Sequence, residues 1–192
     1  MKIGVLAAQG AFAEHIAVLR KLGVEAVPVR LPQDLDGLDG LIIPGGESTT
    51  ISKLMTDFNL TVKIKEMANN GLPIMGTCAG MIMLADKVPD SRVTPLELMS
   101  IGINRNAFGR QRESFETELD IPELGDEPFH AVFIRAPSIV QSNGKVKILA
   151  RLNNGTGVAA RQGKLLVAAF HPELTNDLRF HQYFLDIIAD KR

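Results

Sequence analysis

The single cysteine of the chain stands in surroundings typical of a catalytic nucleophile. Cys78 lies in Gly76-Thr77-Cys78-Ala79-Gly80, after an apolar run and before a helical pattern. A nucleophile flanked in this way occupies a sharp turn from strand to helix, where glycine fits because a Cβ would clash. The helix N-terminus that follows favours a thiolate. The pattern therefore favours a nucleophilic thiol over a buried, small apolar side chain, which is the commoner role of a free cysteine.

A histidine and a carboxylate that could activate this thiol lie together near the C-terminal end. His171 and Glu173 stand in Phe170-His171-Pro172-Glu173, just past an apolar strand pattern at residues 164–170. We expect this strand to end on the same rim as Cys78, so that Glu173 holds one imidazole nitrogen while the other faces the sulfur. The other three histidines are expected to be structural or exposed: His15, His130 and His181.

A glycine-rich turn could stabilise negative charge beside the thiol. Pro44-Gly45-Gly46-Glu47-Ser48 follows the apolar run 40–43 and precedes a helical pattern. Backbone N–H groups here suit an oxyanion hole, for which those of Gly46 and Ala79 form the natural pair. The alternative is a plain turn in which Ser48 or Thr49 is the N-cap of the helix. No Gly-Lys-Ser/Thr follows the turn, so it is not a P-loop.

Alternating strands and helices must position these residues. Hydrophobic periodicity predicts strands at 2–8, 24–29, 40–43 and 72–76, and helices at 12–22, 47–55, 61–69 and around 81–84. Such alternation indicates a parallel sheet covered on both faces. The second half predicts strands at 98–105, 115–120, 129–134, 145–152, 156–161 and 164–170, with hairpin signals at Asn143-Gly144 and Gln162-Gly163, and a final helix from Thr175 or Asn176.

The expected fold is a three-layer α/β domain spanning residues 1–192. Its central sheet is mostly parallel, is flanked by helices in the flavodoxin-like manner, and carries added antiparallel strands.

Composition excludes several functions. Lys and Arg number 21 against 22 Asp and Glu, and Trp is absent, which argues against a nucleic-acid partner. No apolar run approaches the ~18–20 residues of a membrane span. One cysteine allows no internal disulfide, and no histidine pair has metal-ligand spacing. We therefore expect a cytoplasmic protein with no membrane association, metal or cofactor.

In chain order, residues 44–50, 76–80 and 171–173 resemble the motifs of the triad (class I) glutamine amidotransferase family. Further segments resemble those of its members that serve as glutaminase subunits of pyridoxal 5′-phosphate synthases. These are Gln9-Gly10-Ala11 with Glu14-His15, Arg105-Asn106-Ala107-Phe108-Gly109-Arg110-Gln111 with Ser114-Phe115-Glu116, and Phe133-Ile134-Arg135-Ala136-Pro137. The resemblance spans nearly the whole chain.

The resemblance implies hydrolysis of L-glutamine to glutamate and ammonia. Cys78 would attack the side-chain amide, His171 would move the protons, and Glu173 would orient His171. The N–H groups of Gly46 and Ala79 would hold the oxyanion. The residues that the resemblance places against the substrate are Glu47, Ser48, Arg105, Ile134 and Arg135.

The resemblance also implies a partner. Ammonia would pass to a synthase subunit that builds pyridoxal 5′-phosphate from ribose 5-phosphate and glyceraldehyde 3-phosphate. Gln9 and Gly10 would lie near that interface and help to order the oxyanion hole when the partner docks. Weak glutaminase activity of the isolated chain and stimulation by the synthase would follow.

Two other functions stay open at this point. A cysteine hydrolase acting on a different amide would use the same three residues. A non-catalytic protein of the same fold could instead use Cys78 to sense oxidation, and it would need neither His171 nor Glu173.

Overall fold

A computed structural model describes residues 1–105 and 114–191 of the chain. The first half alternates strands and helices as its hydrophobic pattern predicts. Its elements are β1 (Lys2–Leu6), α1 (Phe12–Lys21), β2 (Glu25–Val29), β3 (Gly40–Ile43), α2 (Ser48–Asp57), α3 (Leu60–Asn69), β4 (Ile74–Thr77) and α4 (Ala79–Leu84).

The second half is mainly strands and ends in a helix. Its elements are β5 (Ala85–Lys87), β6 (Met99–Asn104), β7 (Ser114–Leu119), β8 (Phe129–Ile134), β9 (Ser138–Ser142), β10 (Lys147–Arg151), β11 (Gly157–Gln162), β12 (Leu165–Ala168) and α5 (Arg179–Ile188). Short 3₁₀ turns lie at Pro32–Leu35, Pro122–Leu124 and Pro172–Leu174.

Within the described ranges, one large sheet has the strand order β2-β1-β3-β4-β12-β11-β9-β6-β5, with β10 paired to β11. The five strands from β2 to β12 are parallel, and β12, β11, β9 and β6 pair in antiparallel fashion. The order 2-1-3-4 is that of flavodoxin-like sheets, whose ligands bind beyond the carboxyl ends of the strands. Strands β7 and β8 form a separate antiparallel pair. The expected α/β fold with a mostly parallel sheet and added antiparallel strands is confirmed.

Two local predictions are wrong, and two strands were not predicted. Asn143-Gly144 does not close a hairpin, because β9 pairs with β6 and β11 while β10 pairs with β11 alone among the described strands. The last helix begins at Arg179 rather than at residue 175 or 176. The Thr175 hydroxyl accepts from the Asp177 N–H at 3.2 Å and the Asp177 carboxylate accepts from the Arg179 N–H at 3.0 Å, which is the local bonding that competes with a helix. Strands β5 and β9 were not predicted, because β5 has only three residues and β9 has only two apolar ones, Ile139 and Val140. The Gln162-Gly163 hairpin does form, between β11 and β12.

An aromatic cluster joins α5 to both sheets. The rings of Phe129, Phe170 and Phe180 lie 5.3–6.1 Å apart, centroid to centroid, and Phe133 packs edge-on against Phe170 at 5.7 Å. All four side chains are fully buried. One apolar core thus includes residues from both halves of the chain. This continuity supports the single-domain expectation, which stays a prediction.

The turn between β4 and α4 is packed too tightly for any side chain at its glycines. A Cβ added at Gly80 would lie 1.9 Å from the carbonyl oxygen of Ile43, and one at Gly76 would lie 2.5 Å from the carbonyl oxygen of Gly80. Both obstacles are backbone atoms, which cannot swing aside as a side chain does. Steric packing therefore requires both glycines of the motif that flanks Cys78.

Gly80→Ala is accordingly expected to destabilise the fold by about 3 kcal/mol, since the added methyl group must push β3 away from α4. Gly144→Ala is the matched control, because no atom lies within 4 Å of a Cβ at that position. The control should change stability by no more than about 0.5 kcal/mol. Urea unfolding of the two variants and the parent chain measures the difference. Equal midpoints for all three proteins would contradict the packing argument.

Candidate active site

The carboxyl ends of the parallel strands open into a cavity of about 260 Å³. The loop after β1 supplies Gln9, the turn after β3 supplies Gly46 and Glu47, and the turn after β4 supplies Cys78. Among the described residues, the lining is formed by Gln9, Gly46, Glu47, Ser48, Cys78, Ala79, Ile82, Arg105, Ile134, Arg135 and His171. Ten of these eleven residues are predicted from the sequence, and Ile82 is the addition. The volume suits a molecule at the small end of the ligand range.

Cys78 is held in a backbone conformation that L-residues rarely adopt. Its φ is 48° and its ψ is −104°, and it immediately precedes α4. Its N–H donates to the carbonyl of Ala168 at 2.8 Å, which ties the turn to β12. The sulfur lies 3.8 Å from the carbonyl oxygen of Ile134. Strain of this kind persists only where the surroundings impose it, and it concentrates at functional sites.

His171 links the sulfur to a buried carboxylate. Its Nδ1 lies 2.6 Å from Oε1 of Glu173, and its imidazole lines the same cavity as Cys78. Burial acts to lower the pKa of His171, but the bonds to Cys78 and Glu173 outweigh it and raise the pKa to about 10. The imidazole is therefore cationic at neutral pH. The three predicted members of the triad lie in contact in the predicted order.

The turn after β3 approaches these groups with backbone alone. A Cβ at Gly45 would lie 2.4 Å from Cε1 of His171 and 3.3 Å from Cβ of Cys78. A Cβ at Gly10, whose φ is +97°, would lie 1.8 Å from the carbonyl oxygen of Gly45. Gln9 reaches across as well, since its Oε1 accepts from the N–H of Glu47 at 2.8 Å. Gly45 is a close-packing residue that the sequence analysis did not single out.

Charged groups occupy the opposite side of the cavity. Glu47 is the N-cap of α2, so neither Ser48 nor Thr49 has that role. Burial acts to raise the pKa of Glu47, but hydrogen bonds from Thr49 and Thr50 lower it to about 2. Arg105 forms an ion pair with Glu47 at 3.5 Å and a closer one with Asp90. Asp90 is a neighbour of the site that the sequence analysis missed.

Arg135 follows β8 and lines the cavity with its backbone in a left-handed conformation, φ 44°. It is the second lining residue with a positive φ, after Cys78. The Arg105–Gln111 motif can be followed only in part, because residues 106–111 lie outside the described ranges. Gly10 and Glu173 are absent from the lining: Gly10 packs on Gly45, and Glu173 is buried behind His171. In the described ranges no group of three or more His, Cys, Asp or Glu residues could hold a metal ion.

A second layer of polar side chains lies behind the triad. His15 and His181 are fully buried and touch each other, with 2.8 Å between Nδ1 of His15 and Nε2 of His181. Nε2 of His15 lies 3.1 Å from the Thr77 hydroxyl and 3.3 Å from Oε2 of Glu173. His15 and His181 were expected from the sequence to be structural or exposed, and the contact of His15 with Glu173 was not predicted. The available signal was a histidine on the apolar face of each helix.

Comparison with known proteins is consistent with this geometry. The SNO glutamine amidotransferase family model matches residues 5–190. The chain belongs to this family. The chain is 58% identical over 186 residues to the pyridoxal 5′-phosphate synthase subunit PdxT of Pelotomaculum thermopropionicum, covering 97% of this chain and 94% of the relative. It is 56% identical over 189 residues to the protein of the same name from Moorella thermoacetica, covering 98% and 100%.

A solved structure of a glutamine amidotransferase has the same fold as this family member. It superposes with a TM-score of 0.93 at 45% identity and covers 98% of this chain and all of the solved chain. No helix in the described part of this amidotransferase is long and apolar enough to cross a membrane.

The four histidines should titrate far apart, because their surroundings differ. Burial lowers the pKa of His181 to about 4, and burial with the neighbouring charges of His181 and His171 holds the pKa of His15 well below 6.5. Hydrogen bonds to Glu118 and Glu116 raise the pKa of His130, and that of His171 lies near 10. Imidazole ¹⁵N NMR at pH 6 should therefore show His130 and His171 protonated and the other two neutral.

The buried histidines also make the stability of the fold depend on pH. The unfolded chain protonates His15 and His181 near their ordinary value of about 6.5, whereas the folded chain resists protonation. Their burial therefore contributes stability above pH 6.5 that is lost as the pH falls toward 4. Titration of both histidines at about 6.5 would contradict the burial of His15 and His181.

Proposed function

We propose that this amidotransferase hydrolyses the side-chain amide of L-glutamine and delivers the ammonia to a pyridoxal 5′-phosphate synthase subunit. The observation that carries the proposal is that Cys78 and His171 line the same small cavity while Nδ1 of His171 lies 2.6 Å from the buried carboxylate of Glu173. Nucleophile, base and orienting carboxylate in contact are the elements of acyl transfer. Membership of the glutamine amidotransferase family supplies the substrate.

In the first half-reaction the thiolate of Cys78 attacks the amide carbon of glutamine, and the carbonyl electrons move to oxygen. The N–H groups of Gly46 and Ala79 stabilise this oxyanion from two sides of the cavity. The C–N bond breaks as its electrons return, and His171 gives its proton to the departing nitrogen. Ammonia leaves and a γ-glutamyl thioester remains on Cys78.

In the second half-reaction water attacks the thioester carbon while His171 takes a proton from it. The new tetrahedral centre collapses, the C–S bond breaks, and glutamate leaves. The thiolate and the protonated His171 are restored. Glu173 supports the positive charge of His171 in both halves.

The charged wall of the cavity supplies the substrate contacts. Arg105 and Arg135 can pair with the α-carboxylate of free glutamine, for which a planar guanidinium is a bidentate partner. Glu47, ionised at neutral pH, suits the α-ammonium group. Ser48 and Ile134 complete the proposed contacts. Gln9 and Gly10 are proposed to help order the oxyanion hole when the partner docks. Gln9 accepts a hydrogen bond from the N–H of Glu47, and Gly10 packs on Gly45 in the same turn.

The names of the relatives support a pyridoxal 5′-phosphate synthase subunit as the partner. Proteins 58% and 56% identical over nearly the full chain are subunits of pyridoxal 5′-phosphate synthase. We further propose that the chain acts in the cytoplasm, which suits its single unpaired thiol.

The first test is glutamate release from glutamine by the purified chain, with and without a pyridoxal 5′-phosphate synthase subunit. Release that depends on the synthase is expected, and Cys78→Ala should abolish it because no thioester can form. His171→Ala should reduce release by at least about 10³-fold. His130→Ala, which alters an exposed histidine on β8, is the matched control and should retain full activity.

Glutamate release, together with alkylation of Cys78, separates the proposed function from the alternatives of a different amide substrate, a different partner and oxidation sensing. A glutamine-like chloroketone should alkylate Cys78, and free glutamine should protect it. Alkylation without protection would indicate a different amide substrate. Glutamate release that does not respond to the synthase would leave the hydrolysis standing and reject the partner. Absence of release in every mixture would favour the oxidation-sensing function.

Substrate binding has its own test at Arg105. Arg105→Gln should raise KM for glutamine by about 10-fold or more and change kcat much less, because the lost ion pair is present in both the ground state and the transition state. Arg151→Gln on β10, at an exposed position remote from the cavity lining, is the control. A fall in kcat at constant KM would assign Arg105 to the chemistry instead of to binding.

A further inference from the structure

Glu173 has two carboxylate oxygens, and the triad uses one of them. Oε1 accepts from Nδ1 of His171 at 2.6 Å. Oε2 is fully buried, accepts no hydrogen bond from the described residues, and lies 3.3 Å from Nε2 of His15, on α1. The side chains of Glu173 and His15 are both 0% exposed. A buried carboxylate needs donors on both oxygens, so the group that faces Oε2 decides how the carboxylate is turned.

The hydrogen-bond partners fix which nitrogen of His15 carries its proton. With the proton on Nε2, His15 donates to the Thr77 hydroxyl at 3.1 Å and places the same polarised N–H beside Oε2 of Glu173, and its Nδ1 accepts from Nε2 of His181 at 2.8 Å. With the proton on Nδ1, a lone pair of His15 would face the carboxylate. His181 would then also bury an unpaired N–H, since its Nδ1 has no partner. The first arrangement gives the N–H groups of both imidazoles an acceptor and is the favoured one.

The charge state of His15 fits this arrangement. Burial, His181 and His171 all hold the pKa of His15 well below 6.5, so the imidazole is neutral at physiological pH. A neutral donor can orient Glu173 without competing with the cationic His171 for its negative charge. The groups that face Glu173 and His171 are thus Cys78 from the turn after β4, His15 from α1 and, behind His15, His181 from α5.

We propose that His15 is a positioning residue of the triad: it holds Oε2 of Glu173 so that Oε1 points at His171, and His181 holds His15 in the tautomer that can do so. The proposal rests on the proposed function for its effect on glutamine hydrolysis. Its effect on the reactivity of the thiol does not require glutamine.

Two polar substitutions of His15 separate positioning from packing. The amide nitrogen of His15→Gln reaches about as far as Nε2 and can still donate to Glu173. His15→Asn reaches only as far as Nδ1, so it can still accept from His181 but leaves Oε2 of Glu173 without a donor. Both variants keep a polar group in the buried site, and His130→Asn, on the exposed face of β8, is the matched control.

The primary readout is alkylation of Cys78 by iodoacetamide across the pH range, without glutamine. Labelling is unambiguous because the chain has one cysteine. His15→Asn should move the pH midpoint of alkylation upward and slow alkylation at pH 7 by about ten-fold, the size typical of lost support behind a functional residue. His15→Gln and His130→Asn should stay within about three-fold of the parent chain, by the same measure.

The second readout is glutamine hydrolysis by the full complex with the synthase. His15→Asn should lower kcat by about ten-fold and leave KM unchanged, because His15 is fully buried and does not line the cavity. Thermal melting of each variant shows whether activity merely follows stability.

Three results would overturn the proposal. One is an unchanged alkylation midpoint in His15→Asn. Another is an equal loss in His15→Gln and His15→Asn. The third is a loss of activity in proportion to the loss in melting temperature. If the parent chain hydrolyses no glutamine while the alkylation midpoints still shift as expected, the proposed function fails and the positioning role of His15 stands.

Discussion

The site depends on one constraint: backbone must pack directly against backbone around Cys78. The carbonyl oxygen of Ile43 lies where a Cβ of Gly80 would be, and the carbonyl oxygen of Gly45 lies where a Cβ of Gly10 would be. These contacts bring the ends of β1, β3 and β4 closer together than side chains would permit. Only then can the turn after β3 lie against both Cys78 and His171. The parallel sheet supplies the common rim, and the glycines bring the loops on it into contact.

Burial of charge is the second organising factor. The carboxyl group of Glu173 is enclosed completely, which costs free energy unless its oxygens have polar partners. Cationic His171 satisfies one oxygen, and neutral His15 faces the other. A second cation in place of neutral His15 would weaken the hold of Glu173 on His171. The depressed pKa of His15 and the raised pKa of His171 are therefore complementary parts of the same buried cluster.

The sequence was most informative where a local rule decides the structure. The glycines flanking Cys78 indicated a strained turn, and short apolar runs located the parallel strands. Hydrogen bonds between side chains that are distant in sequence were harder to predict. His15 lies one helical turn before the buried Val18 and Leu19, so a polar residue on an apolar face was visible, but its partners come from β4, the turn after β12 and α5. The tight approach of Gly45 to His171 likewise depends on the assembled sheet.

The charged wall of the cavity bears on which amides can enter. Arg105 is already paired with Asp90 and Glu47 before any substrate arrives. A ligand carrying only a carboxylate would draw Arg105 away and leave Glu47, a carboxylate held ionised by its α2 cap, short of a cation. A zwitterion compensates for the ion pair that it breaks between Arg105 and Glu47, because its ammonium group can pair with Glu47 while its carboxylate pairs with Arg105. In the proposed function, this exchange of ion pairs favours free glutamine over an amide that lacks either α-charge, such as a glutamine side chain within a peptide.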